Sequence, residues 1–291
     1  MLWQIRGGCF SNFRYQIGKT SNRGMSAQTT TLMGIVNVTP DSFSDGGDSL
    51  NWEHAIAHAQ KLAKDGAHII DIGAESTRPG ADVISEQEEW RRLSPILENR
   101  AQINAEISLD TRNPKTASKA LEYGVDYIND VSGFTNQGMI DVVKGKSVKL
   151  IAMHSLSVPA NKNETITGDP VKELLDWAQQ TIARLEQYEI DKSRIIIDPG
   201  IGFGKDASQS FAILRNIDKF LELNVPILIG HSRKSLFASL PSASNITAKD
   251  RDLETAVTSS FLAAKGVGYL RVHNVAVHKR AFDLLANLKR R

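Results

Sequence analysis

Polar residues recur along this chain, each at the end of a short apolar run. Asn37, Asp71, Asp110, Asn129 with Asp130, His154, Asp198, His231 with Ser232, and His273 all occupy such positions. They offer two kinds of chemistry. Gly230-His-Ser-Arg-Lys-Ser235 carries Arg233 and Lys234 where a helix is expected to open, and Arg271-Val-His273 adds a second basic pair. Backbone N–H groups at a helix start, with cations beside them, make an anion site. Asp71, Asp110, Asp130 and Asp198, with Asn129 among them, supply the opposite character. Each carboxylate can accept two parallel hydrogen bonds, which suits a heterocycle with several N–H donors. A divalent-metal cage is the alternative, but only the residues near Asn37 suit a metal, and no His or Cys cluster accompanies them.

Something must bring these residues together. From Thr31 onward short runs rich in Ile, Leu and Val alternate with longer helical patterns. Candidate strands fall at 32–37, 68–72, 106–110, 126–129, 149–153, 194–198, 226–230 and 268–272. They are nearly continuous in apolar residues, as strands covered on both faces should be. Helices are expected at 52–65, 114–123, 170–188, 208–221, 253–265 and 275–288, with Gly66, Gly124 and Gly266 at C-cap positions. An open doubly wound sheet would share this alternation. Only a closed (β/α)8 barrel gathers all eight strand ends at one mouth, and phosphate sites after strands seven and eight recur in that fold. Asx and His residues also start turns and cap helices, a reading that accounts for some of these positions and not for the Gly, Ser, Thr and Arg clusters between them. The expected fold is therefore a single TIM barrel over 31–291, with residues 1–30 as an extension and the site at the C-terminal strand ends.

Other signals carry less. His54 and His58 lie one helical turn apart without the glutamate of a zinc-protease helix, and read as a solvated face. Gly200-Ile-Gly-Phe-Gly-Lys205 lacks the glycine spacing of a phosphate loop, and Asp206 stands where that loop needs Ser or Thr. Its glycines are expected to bring backbone close to a flat ligand, with Phe203 packing on it. The chain has 291 residues and a net charge of +2, so no broad basic surface for nucleic acid is implied. One cysteine, Cys9, precludes an intrachain disulfide and fits a reducing compartment, taken here as the cytoplasm. No apolar run is long enough to span a bilayer. The first 30 residues carry Arg6, Arg14, Lys19 and Arg23 and no acid. That pattern fits a transit peptide, an upstream start preceding Met25, or a short extension lying on the barrel.

Together the motifs resemble dihydropteroate synthase from about Leu32 to the C-terminus. The stretches that carry the resemblance begin with Met33-Gly-Ile-Val-Asn-Val-Thr-Pro-Asp-Ser-Phe-Ser-Asp-Gly-Gly47 and Asp71-Ile-Gly-Ala-Glu-Ser-Thr-Arg-Pro-Gly-Ala81. Ser108-Leu-Asp-Thr111, Ile128-Asn-Asp-Val-Ser-Gly133, Asp198-Pro-Gly-Ile-Gly-Phe-Gly-Lys205, Ser232-Arg-Lys-Ser235 and Arg271-Val-His273 follow in order. The resemblance implies a transferase that joins 6-hydroxymethyl-7,8-dihydropterin pyrophosphate to p-aminobenzoate in folate biosynthesis, and a target of sulfonamides. It assigns Asp110, Asn129, Asp198 and Lys234 to the pterin, and Asn37, Arg271 and His273 to the pyrophosphate, with Mg2+ at Asn37. Thr77, Pro79, Phe203, Lys234 and Ser235 would surround p-aminobenzoate. Asp45 and Arg78, from two closing loops, would pair. Lys234, Asp110, Arg271, His273, Asp45 and Arg78 form the implied catalytic set. The expected partners are these small molecules and a second copy of the chain as a homodimer, with no nucleic acid and no membrane. The segment Met153-His-Ser-Leu-Ser-Val-Pro159 departs from the family's usual Met-His-Met, as do His231 and Asn274. Pterin-binding methyltransferases of the corrinoid type are the competing reading, but lack the Ser-Thr-Arg-Pro-Gly and Ser-Arg-Lys-Ser motifs. A catalytically silent pterin-binding paralogue is another.

Overall fold

The computed structural model describes residues 30–39, 48–76, 82–161, 163–243 and 245–289. Eight parallel strands form one sheet: β1 (Thr31–Asn37), β2 (Ile69–Gly73), β3 (Glu106–Asp110), β4 (Tyr127–Asp130), β5 (Lys149–Met153), β6 (Ile195–Asp198), β7 (Leu228–Ile229) and β8 (Tyr269–Val272). Their order is β6-β5-β4-β3-β2-β1-β8-β7. A parallel bridge between Ile197 and Ile227, with Ile197 N–H donating to Pro226 O at 3.0 Å, brings β6 to β7 and closes the barrel. The outer helices are α1 (Asp48–Lys64), α2 (Glu86–Glu98), α3 (Pro114–Glu122), α4 (Gln137–Val143), α5 (Pro170–Gln187), α6 (Ala207–Arg215), α7 (Ile217–Leu221), α8 (Asp252–Lys265) and α9 (Val275–Lys289).

Two cores follow from strands buried on both faces. Inside the barrel, Met33, Ile69, Tyr127, Ile151, Ile196 and Leu228 pack together, with Tyr269 against them. Outside, residues of the opposite parity, such as Leu32, Ile70, Ile107, Ile128, Leu150 and Ile197, meet the apolar stripes of the helices. The interior layer matters most for function, because it fixes which residue of each strand points inward one step higher.

The expected strands match within one residue at each end, apart from β7, which is two residues shorter at its start and one at its end. Gly66, Gly124 and Gly266 all have positive φ, and Gly266 ends α8 in the left-handed region at φ 99°. Two expectations need correction. The helix expected at 208–221 is two helices, α6 and α7, divided at Asn216, whose side-chain amide donates to Ala212 O at 2.9 Å and ends α6. Helices α2 and α4 follow β2 and β4, as eight strand–helix units require, although their own sequences signal them weakly: α2 contains Pro95, a residue that reads as a helix stop, and α4 has only seven residues. The Ser-Arg-Lys-Ser segment opens a five-residue 3₁₀ turn, Ser235–Ser239, instead of an α-helix. Such a turn has little aligned dipole, so an anion there depends on side chains.

Candidate active site

Alternation along each strand decides which polar residues reach the mouth. Two residues above the interior layer of Ile69, Tyr127, Ile196 and Tyr269 lie Asp71, Asn129, Asp198 and Arg271. Asp110, Asn129, Asp198, Lys234 and Arg271 line one narrow pocket, walled by Val131, Met153, Phe203 and Gly230. Every residue assigned to the pterin is in this lining.

The cations are held before any ligand arrives. Arg271 Nε donates to Asp71 Oδ2 at 2.5 Å, and its NH2 group donates to Asp110 Oδ2 at 3.0 Å. Asn129 Nδ2 donates to the same Asp71 oxygen at 3.3 Å. Burial works against the charge of Arg271, but the two carboxylates more than offset it and keep the guanidinium protonated. Burial pushes Asp110 up to about 7, reinforced by Asp71 and opposed by Arg271. Lys234 donates to Ile201 O and sits 4.3 Å over the Phe203 ring. Burial lowers its pKa to about 7, with Asp198 opposing and Arg271 reinforcing. Asp198 is raised by burial against the pull of Lys234, and its Oδ1 accepts Gly200 N–H at 2.7 Å. A Cβ at Gly230 would lie 3.5 Å from Asp198 Oδ2, so the glycine leaves that oxygen open toward the pocket.

On the rim, β1 and β8 pair directly, which sets Asn37 and His273 on adjacent strand ends. The backbone N–H of His273 donates to Ser232 Oγ at 3.2 Å, and its Nδ1 lies 2.9 Å from the same oxygen. Of the residues assigned to p-aminobenzoate, Phe203 and Lys234 are brought together, while Ser235 is exposed at the start of its turn. Thr77, Pro79, Arg78 and Asp45 lie outside the described residues.

Parity also removes residues from the site. Asp130 belongs to no acidic floor: Oδ1 accepts from Ser132 N and Oγ at 2.7 Å, and Oδ2 from Phe134 N at 3.0 Å, bracing its own loop. His231 faces α8, with Nε2 3.2 Å from Thr255 O and 3.0 Å from Ser259 Oγ. Arg233 leaves the anion site for Asp252, in a two-point ion pair at 2.7 and 2.9 Å. Sequence reasoning had Asp71 in the floor but missed its role as the anchor of Arg271. It also missed Glu89, which is fully buried and accepts from Thr111 Oγ1, Thr116 Oγ1 and Asn113 Nδ2 at 2.6–2.8 Å, the first of these being the residue after Asp110.

The chain matches a model of the family described as pterin binding enzyme over residues 33–273. Dihydropteroate synthase of Synechocystis is 38% identical over 84% of this chain and 86% of that protein. A bifunctional folylpolyglutamate synthase/dihydropteroate synthase of Halobacterium salinarum is 37% identical, and a folate synthesis bifunctional protein of Chlamydia caviae 39%, over 85% and 88% of this chain. The chain spans only 30% and 59% of the lengths of those two. Among solved structures, the Xanthomonas albilineans dihydropteroate synthase with 4-aminobenzoic acid superposes with a TM-score of 0.83 at 36% identity, over 89% of this chain and 93% of that one. The Anaplasma phagocytophilum enzyme with 6-hydroxymethylpterin-monophosphate gives 0.79 at 38%, over 89% and 98%. On the family match, these identities and the shared barrel, the chain belongs to the dihydropteroate synthase family of pterin-binding enzymes.

Proposed function

We propose that this chain condenses 6-hydroxymethyl-7,8-dihydropterin pyrophosphate with p-aminobenzoate, giving 7,8-dihydropteroate and pyrophosphate in folate biosynthesis. The observation that carries the reading is one pocket in which Asp110, Asn129 and Asp198 face Lys234 and Arg271. Carboxylates and an amide take the N–H edge of a pterin, Lys234 lies beside it toward the amine, and Arg271 takes the pyrophosphate. The methylene C–O bond breaks and its electron pair leaves with pyrophosphate, while the positive charge delocalises into the pterin ring. The amine lone pair then forms the C–N bond, and the nitrogen loses its proton to water or pyrophosphate. An arylamine is already neutral, so no strong base is needed. What remains is to stabilise the leaving group and hold the amine in line. Arg271, fixed by Asp71 and Asp110, is oriented in advance for the first task. His273, at the rim, joins it there, and Phe203 with Ser235, Thr77 and Pro79 take the second. Asp45 and Arg78 are proposed to pair across the closed site.

Mg2+ is proposed to enter with the pyrophosphate and to take Asn37 as its protein ligand. Among the described residues no group of three or more His, Cys, Asp or Glu could cage an ion. One amide oxygen fits an ion held mostly by phosphate oxygens and water. When bound, it would supply charge neutralisation on the leaving group. A chelator should then weaken binding of pterin pyrophosphate and spare 6-hydroxymethylpterin, which has no phosphates; equal binding of the pyrophosphate with and without Mg2+ would remove the ion from the reading.

A homodimer is proposed through α8, where Leu253, Val257 and Phe261 are 70%, 62% and 44% exposed at helical spacing along one stripe. Val257→Glu should yield monomer by light scattering, and an unchanged mass would overturn that interface. The single cysteine supports a cytoplasmic location, and among the described residues no helix is long and apolar enough to cross a membrane. The activity itself is tested by pyrophosphate release from the pterin substrate with and without p-aminobenzoate. Amine-dependent release with formation of dihydropteroate is expected. Release that ignores the amine, or none, would sink the proposal.

A further inference from the structure

Two segments pack on each other: Gly200-Ile-Gly-Phe-Gly-Lys205 after β6, whose glycines the sequence sets against a flat ligand, and the atypical run after Met153 that follows β5. Gly200 has φ +66°, and a Cβ there would come within 1.9 Å of His154 O; one on Gly204 would meet Leu156 at 2.5 Å. At Gly200 the two backbones touch, and at Gly204 the Leu156 side chain lies on bare backbone, because neither position carries a side chain. At the junction Lys205 turns inward and is only 6% exposed. Its Nζ donates to Phe203 O at 2.7 Å and to His154 Nδ1 at 2.9 Å, with His154 O at 3.5 Å. Neither close partner is a carboxylate. Holding an ammonium there on a carbonyl and an imidazole is costly, and burial accordingly lowers the pKa of Lys205 to about 7, with Lys234 reinforcing and Asp198 opposing. His154 is kept neutral, first by burial and then by Lys205, and so remains an acceptor. Trp177 meets its ring edge-on at 5.0 Å and 88°, which limits its rotation.

What this tie holds is the amine side of the pocket. Phe203 lines the pocket and lies under Lys234, while Ile201 O takes the Lys234 ammonium. On the pterin side, Asp110 and Asn129 come from β3 and β4, while Asp198 and Lys234 meet the loop only at Gly200 N–H and Ile201 O, ahead of the tied Phe203 carbonyl.

We propose that Lys205 and His154 are positioning residues for the second substrate: a latch that grips Phe203 by its carbonyl and so sets the wall on which the aromatic amine is seated. The proposal rests on reading the chain as a dihydropteroate synthase with Phe203 beside p-aminobenzoate. It is tested in the full chain with Lys205→Met, which keeps the buried volume and removes the donor, and His154→Phe, which keeps the ring against Trp177 and removes the acceptor. Lys205→Met should raise KM for p-aminobenzoate by about tenfold or more, given how steeply rate depends on placement, while the Kd for pterin pyrophosphate stays within about twofold. His154→Phe should raise the same KM by about threefold or more, and the double variant should be no worse than Lys205→Met alone, as for two parts of one device. An unchanged amine KM, or equal losses for both substrates, would overturn the latch; a general loosening would produce the second. If Lys205→Met does not fold, His154→Phe decides by the same readouts. Hydrogen exchange at residues 200–204 separates this from the function itself: it should quicken in both variants whether or not the wild type turns over. Unchanged exchange would end the latch, and a wild type without amine-dependent turnover would end only the function.

Discussion

Asp198 has one oxygen on Gly200 N–H and the other open toward the pocket beside Gly230. Asp198→Asn keeps the shape but makes a donor of one of these two acceptors, so pterin affinity should fall by about 10- to 100-fold, the cost of a hydrogen bond to a charged group. Calorimetry with 6-hydroxymethylpterin checks this, and unchanged affinity in the folded variant would remove Asp198 from the floor. Lys234 and Asp110 set a pH dependence. In the free enzyme burial brings Lys234 down to about 7, so the cation that faces the pterin is lost as pH rises through that value. Asp110 also titrates near 7, so its accepting carboxylate is lost as pH falls. The profile of kcat/KM for pterin pyrophosphate should therefore be a bell centred near neutrality, since this parameter reports the free enzyme. Asp110→Asn should abolish its acid limb, and a flat wild-type profile between pH 6 and 8, about one unit either side of the two groups, would contradict both assignments. Arg271→Ala should cost turnover about 10²–10³-fold, as for other well-placed charge-stabilising donors, with near-normal activity moving the pyrophosphate elsewhere. The residue types at the mouth were legible because a polar residue ending an apolar strand has few other reasons to be there. Their parity was not. Strands buried on both faces show no inward–outward pattern, so Asn129 and Asp130, or Gly230 and His231, could not be told apart until the register was seen.

At the level of elements, the mouth is braced by a helix, α2, that sequence patterning does not single out. Helix α2 is acid-rich in its first turn and carries Pro95, so Glu89 reads as one more solvated carboxylate. In the fold it is buried beneath α3 and holds Thr111, Asn113 and Thr116 at that helix's start. Burial raises its pKa in spite of these three donors. Glu89→Ala would leave the donors unpartnered next to Asp110, and should destabilise the protein by about 3 kcal/mol, measured by urea unfolding. An effect below about 0.5 kcal/mol, typical of a surface site, would show that water replaces the carboxylate at no cost. No local signal reveals such a residue, because its partners lie more than twenty positions away and its surroundings are polar in sequence. The barrel itself was legible for the opposite reason: eight apolar runs and the glycine-capped helices state the same alternation repeatedly, and one misjudged boundary, such as the break at Asn216, does not alter it.

For the molecule as a whole, a net charge of +2 conceals ionisable groups that the fold forces to stay neutral. His231 is fully buried between β7 and α8, and burial lowers its pKa to about 4; His154, between β5 and α5, is lowered to about 3. An unfolded histidine takes up a proton near 6.5, so below that pH the unfolded chain binds more protons than the native one, and stability falls as pH falls. The contribution is complete above 6.5 and, for His231, lost by about pH 4. Its size is about 3 kcal/mol, from roughly 1.4 kcal/mol per pH unit over that interval. Asp110 acts in the opposite sense over an overlapping range, because the native state keeps a proton that the unfolded carboxyl gives up. The wild-type curve alone would blend the two effects. The difference between wild type and His231→Gln isolates one of them: the amide can still donate to Thr255 O but cannot titrate. Measured by urea unfolding, that difference should shift by about 3 kcal/mol in favour of the variant between pH 7 and pH 4. A difference that stays constant across this range would mean that His231 is protonated inside the fold, and that the acid sensitivity of the barrel arises elsewhere.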